Sequence, residues 1–281
     1  MILEHEIPSG SRLYFGSSAK LKRDIENKIC NLLLDNNFEE IVVPNFSYHQ
    51  YESISNSKKL IRINDEQNNM MSLKADSTLD VVRIINKRLG RTTKHKKWFY
   101  AQPVFTYPSN EHYQIGCEQI DCNDYEATLK LAVKSFETLN IKPLLQVSNI
   151  AIAKKASIEL DIDYDMFIKG EISTLLELKI DWLTNLINAK SIDDLDDISS
   201  YPKMLQDDIQ MLIDVVSSIE YDNIVISPLY QSSLKYHKDI YFRAILDNKT
   251  VLKGGSYKSD DIDSLGFALY VDNIIKIKES I

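Results

Sequence analysis

The stretch His112-Tyr113-Gln114-Ile115-Gly116-Cys117-Glu118-Gln119-Ile120 decides both the fold class and the first candidate site. Its residues alternate in character, and so do those of the preceding run from Trp98 to Phe105. The turn-forming sequence Tyr107-Pro108-Ser109-Asn110 separates the two runs. This pattern predicts an antiparallel hairpin of two long strands.

Within a strand, Gln114, Gly116 and Glu118 point to the same face of the sheet. Gly116 contributes no side chain, so we expect the surface between the amide and the carboxylate to be open to a ligand. Glu118 can pair with an ammonium group, and Gln114 can both donate and accept hydrogen bonds. The pattern favours a small cationic or zwitterionic ligand; the alternative is that these are polar residues of a sheet surface packed under a loop.

Two other segments are candidate sites. One is a predicted strand-to-helix junction, where Asp76 and Thr78 lie beside free backbone amides; the alternative is an ordinary helix N-cap. The other, residues 231–238, places Tyr236 and His237 just before a strand. A lone histidine in that setting is more often a surface residue than a base.

The rest of the chain predicts strands and helices in consecutive blocks. Helical spacing of apolar residues predicts a helix from Ser17 to Asn36, and Ile41 to Pro44 is predicted to be a buried strand halted by its proline. Residues 150 to about 222 have helical periodicity throughout, and between 159 and 222 there are 16 acidic and 4 basic residues. This order favours an α+β fold, a single domain of residues 1–281 with a helical insertion.

Composition excludes several classes of protein. The 281 residues carry a net charge of -8, which does not indicate a general nucleic-acid or anionic-membrane binder. The apolar runs are shorter than the ~20 residues that span a bilayer, and the first residues do not form a signal peptide, so we expect a cytoplasmic protein. The three cysteines lack metal-ligand spacing and no Gly-rich phosphate loop is present, so we expect neither a metal nor a cofactor.

Taken in order, these segments resemble the catalytic domain of class II aminoacyl-tRNA synthetases, and specifically histidyl-tRNA synthetase. Residues 8–44 resemble the opening helix and first motif of that family, and residues 73–78 stand where it has Leu-Arg-Pro-Glu-Gly-Thr. Residues 98–118 cover the second motif through Gln-Leu-Gly-Cys-Glu, here Gln114 to Glu118, and residues 266–273 cover the third. The resemblance implies an amino-acid site on an antiparallel sheet flanked by helices.

Four departures from the family pattern concern arginines. The second motif has Thr106 in place of its arginine, and the third ends in Asn273. Ser232 stands in the histidine-specific segment where the family has an arginine, and Ser256 does so in the Gly-Gly-Arg-Tyr element. Because arginine pairs bidentately with phosphate and carboxylate groups, we expect adenylation to be lost. The chain also stops eight residues after Asn273, so we expect no anticodon-binding domain.

A synthetase-like domain with these losses resembles the regulatory subunits of ATP phosphoribosyltransferases. That resemblance implies a noncatalytic partner of the short-form catalytic subunit, acting in the first step of histidine biosynthesis and mediating feedback inhibition by histidine. It also implies a homodimeric core around the first motif and argues against tRNA as a partner. The implied histidine-binding positions are Asp76, Thr78, Gln114, Glu118, Tyr236 and His237.

Two other functions stay open at this stage. One is a diverged class II amino-acid ligase or histidyl-tRNA synthetase-like enzyme, with Lys74, Arg83 and Arg243 as an unusual phosphate clamp. The other is a sensor of uncharged tRNA, which the net charge of -8 disfavours.

Overall fold

The computed structural model describes residues 6–50, 57–232, 237–259 and 261–280. In these ranges the strands are β1 (Glu39–Glu40), β2 (Phe46–Ser47), β3 (Arg62–Asn64), β4 (Met70–Leu73), β5 (Lys97–Thr106), β6 (Asn110–Ile120), β7 (Leu144–Asn149), β8 (Ile224–Ile226), β9 (His237–Leu246), β10 (Lys249–Ser259) and β11 (Ile262–Tyr270). The helices are α1 (Gly16–Asp35), α2 (Thr78–Ile84), α3 (Tyr125–Thr138), α4 (Ile150–Glu159), α5 (Asp165–Lys169), α6 (Ile172–Glu177), α7 (Asp181–Asn188), α8 (Lys203–Ser217) and α9 (Val271–Glu279). A π-helical turn, Ile85–Leu89, continues α2, and short 3-10 turns occupy Ser57–Lys59, Ile192–Leu195 and Ile198–Ser200.

The main sheet has eight strands in the order β1-β5-β6-β11-β10-β9-β7-β8. Its six central strands are antiparallel, which confirms the predicted α+β class and the hairpin of β5 and β6. The two edge strands differ, because β1 is parallel to β5 and β8 is parallel to β7. The helices α4 to α8 connect β7 to β8, and a crossover of that kind is what a parallel pair requires. A small antiparallel sheet, β2-β4-β3, stands beside the main one.

The two faces of the main sheet bury different sets of side chains. One face packs against α1 and α3, because their apolar residues recur at helical spacing and alternate strand residues point toward them. Gln114, Gly116 and Glu118 therefore lie on the opposite face, which α2 covers. The first face buries, among others, Ile25, Ile29, Leu33, Phe99, Ile115, Cys117, Leu129, Ala132 and Phe136.

Asp272 connects both ends of the chain to this sheet. It is the second residue of α9 and is only 2% exposed. The Tyr14 hydroxyl donates a hydrogen bond to its Oδ1, the Tyr113 backbone N–H donates to its Oδ2 at 2.7 Å, and Arg12 Nε lies 3.7 Å from Oδ1. One carboxylate thus holds the segment before α1, the start of β6 and the final helix together.

The predicted strand from Ile41 to Pro44 is wrong, because β1 covers only Glu39–Glu40. The side chain of Gln102 takes over the backbone pairing at Val43. Val43 N–H donates to Gln102 Oε1 at 3.0 Å, and Gln102 Nε2 donates to the Val43 carbonyl at 2.8 Å. A primary amide offers the same donor and acceptor as a peptide group, so the segment stays attached to the sheet without being a strand of it.

Gln102→Ala should therefore destabilise the protein and loosen this segment. Two hydrogen bonds of about 0.5 to 1.5 kcal/mol each are lost, so the free energy of unfolding should fall by about 1 to 3 kcal/mol. Denaturant unfolding measures the fall, and hydrogen exchange should show faster exchange of the Val43 amide. Gln210→Ala is the control, because Gln210 is exposed and its side chain bonds to Asp214, one turn away on the same helix. Equal stability of the two variants would contradict the role given to Gln102.

Candidate functional site

The Glu118 side chain lies on the face of the sheet covered by α2, beside glycines of the next two strands in the sheet. Glu118 in β6 pairs with Gly266 in β11, which pairs in turn with Gly255 in β10. A Cβ atom on Gly266 would lie 2.1 Å from Glu118 Oε2 and 2.2 Å from the Cys117 carbonyl oxygen. No larger residue fits at Gly266, so the glycine makes the space that the carboxyl group occupies.

Glu118 is 1% exposed and only partly satisfied by hydrogen bonds. The Tyr257 hydroxyl donates to Oε2 at 2.7 Å, while Oε1 has no hydrogen-bond partner among the described residues. Burial raises the pKa of Glu118 to about 8; the hydrogen bond from Tyr257 and the nearby Thr78 hydroxyl oppose the rise, and the nearby charge of Asp76 adds to it. Glu118 is therefore mostly protonated at neutral pH, and a cation placed at Oε1 would favour its ionised form.

A small cavity opens beside Glu118 and is lined by five of the six residues singled out from the sequence. They come from three elements: Asp76 and Thr78 from the junction of β4 and α2, Gln114 and Glu118 from β6, and His237 from the start of β9. The sixth, Tyr236, lies outside the described residues. Asp76 also accepts a long hydrogen bond from Leu79 N–H at 3.4 Å, so the N-cap alternative holds in part beside its place in the cavity.

The cavity is small. Its volume is about 30 Å³, which is room for one or two water molecules. An amino acid is several times larger. Binding of such a ligand therefore requires lining side chains to move.

His237 lies at the edge of this cavity as a neutral ring. Its Nδ1 is 3.2 Å from the Ser256 carbonyl oxygen, and a carbonyl can only accept, so Nδ1 carries the proton. The ring packs edge-on against Tyr241, with centroids 5.0 Å apart. Burial lowers the pKa of His237 to about 4 despite the bond to Ser256. At neutral pH the imidazole is thus uncharged, and it does not supply a cation to the site.

The expectation of an open surface at Gly116 is wrong. Gly116 pairs across the strands with Tyr100, whose ring lies directly over it. A Cβ on Gly116 would come within 2.3 Å of the Tyr100 hydroxyl. An aromatic side chain opposite a glycine commonly fills the space in this way. The cavity therefore lies beyond Tyr100, between β6 and β10, and not directly above Gly116.

Sequence reasoning missed four other residues that line the cavity: Tyr100, Lys253, Tyr257 and Tyr270. Gly254 and Gly255 lie inside the long strand β10, where neighbouring strands approach their backbone closely. A Cβ on Gly254 would lie 2.5 Å from Phe267 Cβ. Alternation continued through the two glycines would have placed Lys253 and Tyr257 on the same face.

The three cations suggested as a phosphate clamp do not line the cavity. Arg83 Nη1 pairs with Asp80 Oδ1 at 2.9 Å, and Arg243 donates to Gln146 Oε1 at 2.6 Å. Lys74 is completely buried, burial lowers its pKa to about 8, and its Nζ has no partner among the described residues. The structure therefore does not assemble them around one anion.

Two of the residues that we expected in place of arginines, Asn273 and Ser256, form hydrogen bonds with backbone groups. Asn273 Nδ2 donates to the Thr250 carbonyl at 2.8 Å, and Ser256 Oγ accepts from Asp239 N–H at 3.2 Å. Within the described ranges, no cluster of three or more His, Cys, Asp or Glu side chains is placed to hold a metal ion. In the same ranges no helix has the length and apolar character needed to cross a membrane.

The raised pKa of Glu118 should make the free energy of unfolding depend on pH. The unfolded carboxyl ionises near pH 4.5 and the folded one near pH 8, so between these values the unfolded state loses its proton first. The free energy of unfolding should fall by roughly 1 kcal/mol for each pH unit within that window, and Glu118→Gln should remove this dependence. Denaturant unfolding at pH 5, 6.5 and 8 gives the comparison.

The free energy of unfolding of Glu118→Gln, relative to that of the natural protein, should therefore increase from pH 5 to pH 8. Glu177→Gln, at an exposed position of α6, is the control and should follow the natural protein. Parallel stability curves for Glu118→Gln and the natural protein would contradict the raised pKa.

The chain is similar to known proteins over nearly its whole length. The family model described as histidyl-tRNA synthetase matches residues 15–274. The "ATP phosphoribosyltransferase regulatory subunit" of Wolinella succinogenes is 40% identical over 98% of this chain and 96% of its own length. The protein of the same name from Helicobacter hepaticus is 37% identical over 98% and 99% of the two chains.

Solved structures agree on the fold. An ATP phosphoribosyltransferase regulatory subunit/histidyl-tRNA synthetase from Bacillus halodurans matches 98% of this chain and 84% of its own, with a TM-score of 0.86 at 14% identity. Histidyl-tRNA synthetase from Nostoc sp. matches 99% and 76%, with a TM-score of 0.80 at 16% identity. These structures share the mixed sheet of class II synthetases. Together with the two full-length relatives, they show that this chain belongs to the family of ATP phosphoribosyltransferase regulatory subunits, which is built on the histidyl-tRNA synthetase fold.

Proposed function

We propose that this chain is the noncatalytic regulatory subunit of an ATP phosphoribosyltransferase, acts in the cytoplasm, and is required for the first step of histidine biosynthesis. The observation that carries the proposal is its similarity, over nearly the whole of both chains, to two proteins of that name. Its partner is a short-form catalytic subunit, which works only in assembly with it.

The site chemistry supports a noncatalytic role. Thr106, Ser232, Ser256 and Asn273 occupy the positions where the synthetase pattern has arginines. Hydrogen bonds to charged groups contribute about 1.5 to 3 kcal/mol each, so four missing guanidinium groups remove most of the stabilisation of a reacting phosphate. Ser256 and Asn273 form hydrogen bonds to the backbone, and none of the described residues that line the cavity is an arginine.

We also propose that histidine is the effector and that it binds in the cavity beside Glu118. The unpartnered Oε1 of Glu118 supplies a buried acceptor for its cationic end, and Gln114 and Thr78 supply neighbouring hydrogen-bonding groups. An effector acts only through a difference in affinity between two conformations. A cavity that must enlarge to hold its ligand provides such a difference.

Tyr270 provides a route from this cavity to the rest of the subunit. It lines the cavity at the end of β11, and α9 begins at the next residue. Two residues further on, Asp272 joins α9 to Tyr14 and to β6. Displacement of Tyr270 by a ligand would therefore shift α9 and the segment before α1 together.

A homodimeric core around Ile41 to Pro44 completes the proposed assembly. Ile41 and Val43 point into the protein, whereas Val42 is 75% exposed and Phe46 is 55% exposed. Exposed apolar side chains that lie close together in a segment are a common feature of interfaces. Pairing of two copies at this segment would cover them.

Assembly is tested by mixing the purified chain with a short-form catalytic subunit that lacks its own regulatory domain. Size-exclusion chromatography with light scattering should show one complex heavier than either component, and phosphoribosyl transfer should appear only in the mixture. An amino-acid-dependent pyrophosphate exchange assay should give no exchange with any amino acid. Two separate species on the column, or histidine-dependent exchange, would overturn the regulatory proposal.

The effector site is tested by titrating L-histidine into the same complex in a calorimeter. Glu118→Gln should weaken histidine binding by at least tenfold, because it replaces a charge-assisted contact with a neutral one. It should also reduce inhibition of phosphoribosyl transfer by histidine to the same degree. Glu177→Gln is again the control. Equal histidine affinity of Glu118→Gln and the control would remove Glu118 from the site while leaving the assembly test unaffected.

A further inference from the structure

Two cations stand directly opposite each other on the face of the sheet that carries the cavity. Lys253 in β10 pairs with Arg243 in β9, so both side chains project from the same face. Like charges at directly opposite positions destabilise a sheet. The described residues place no carboxylate within ion-pair distance of either side chain, and the charges that act on Lys253 are those of Arg243 and Lys59.

Arg243 is nevertheless well held, and Lys253 is not. Arg243 donates to Gln146 Oε1 at 2.6 Å and to the Tyr230 hydroxyl at 2.8 Å, and its guanidinium carbon lies 4.1 Å from the centroid of the Tyr230 ring. Among the residues that the structure describes, the Nζ of Lys253 has only a distant contact, 5.9 Å from the Tyr270 ring centroid. Burial and the two neighbouring cations lower the pKa of Lys253. Among the described residues, the ammonium group of Lys253 therefore has no anion to balance its charge.

Lys253 and Glu118 both line this cavity. Lys253 pairs with Ala268 in β11, and Ala268 pairs with Gly116 in β6, two residues before Glu118. With strands about 4.8 Å apart and about 3.4 Å per residue, the Cα atoms of Lys253 and Glu118 are roughly 12 Å apart. The residues of β11 between them on this face, Gly266 and Ala268, are small, so both long side chains can extend into the same cavity.

We infer that Lys253 binds the carboxylate of a zwitterionic amino acid whose cationic end faces Glu118. The inference rests on the proposed function and assigns the second half of its effector site. One ligand of this kind satisfies both features at once, the unpartnered Oε1 of Glu118 and the uncompensated Lys253. A simple anion such as phosphate would leave Glu118 without a partner, and a simple cation would leave Lys253 without one.

The experiment compares two probes, L-histidine and histamine, which has the same imidazole and amine but no carboxylate. Calorimetric titrations use the natural protein, Lys253→Met, Lys253→Arg and Lys258→Met. Methionine keeps the apolar length of the lysine and removes its charge, and Lys253→Arg restores a cation. Lys258 is an exposed lysine of the same strand that pairs with Asp261, so its substitution is the matched control.

Lys253→Met should weaken L-histidine binding about 10- to 100-fold, as expected for one charge-assisted hydrogen bond, and change histamine binding less than twofold. Lys253→Arg should keep most of the histidine affinity, and Lys258→Met should keep all of it. Equal losses for histidine and histamine would show that Lys253 only maintains the shape of the cavity, and unchanged histidine binding would also overturn the inference. If the natural protein bound neither probe, the histidine site itself would be refuted, and the Lys253 assignment with it.

Discussion

Burial of one carboxyl group in the face of the sheet is the constraint that organises this site. The side chain of Glu118 packs against β11, which must carry glycine at position 266. A Cβ atom at that position would clash with Oε2 of Glu118. Tyr257 from the next strand but one holds the other side of the group. A buried acid is tolerable only when it is protonated or paired, so the residues around it set the conditions under which it carries charge.

The features that follow from local periodicity were predictable from the sequence. Alternation placed Gln114 and Glu118 on one face, and the structure brings them into one cavity with Asp76, Thr78 and His237. The features that depend on register between strands were not. That Tyr100 lies over Gly116 follows only from the pairing of β5 with β6, which the sequence of either strand alone does not specify.

Two other surprises have the same origin in backbone pairing. The apolar run around Val43 has the composition of a strand. However, the side-chain amide of Gln102 makes the hydrogen bonds to the Val43 backbone that a neighbouring strand would otherwise make. The glycines in β10 interrupt the alternation that would have revealed Lys253 and Tyr257, although they belong to the strand and lie in close contact with Phe267 and Ile240. In both cases a tertiary contact decided what local propensity left open.

The small volume of the cavity has a consequence for the concentration range over which such a subunit would respond. A ligand that binds only an enlarged form has its apparent affinity reduced in proportion to the fraction of molecules that are enlarged. If about one molecule in a hundred were open, the dissociation constant would be roughly a hundredfold weaker than that of the open form. Under the proposed function, the side chains that line the cavity, Tyr100 and Tyr270 among them, would thus set a threshold concentration below which the effector would stay unbound.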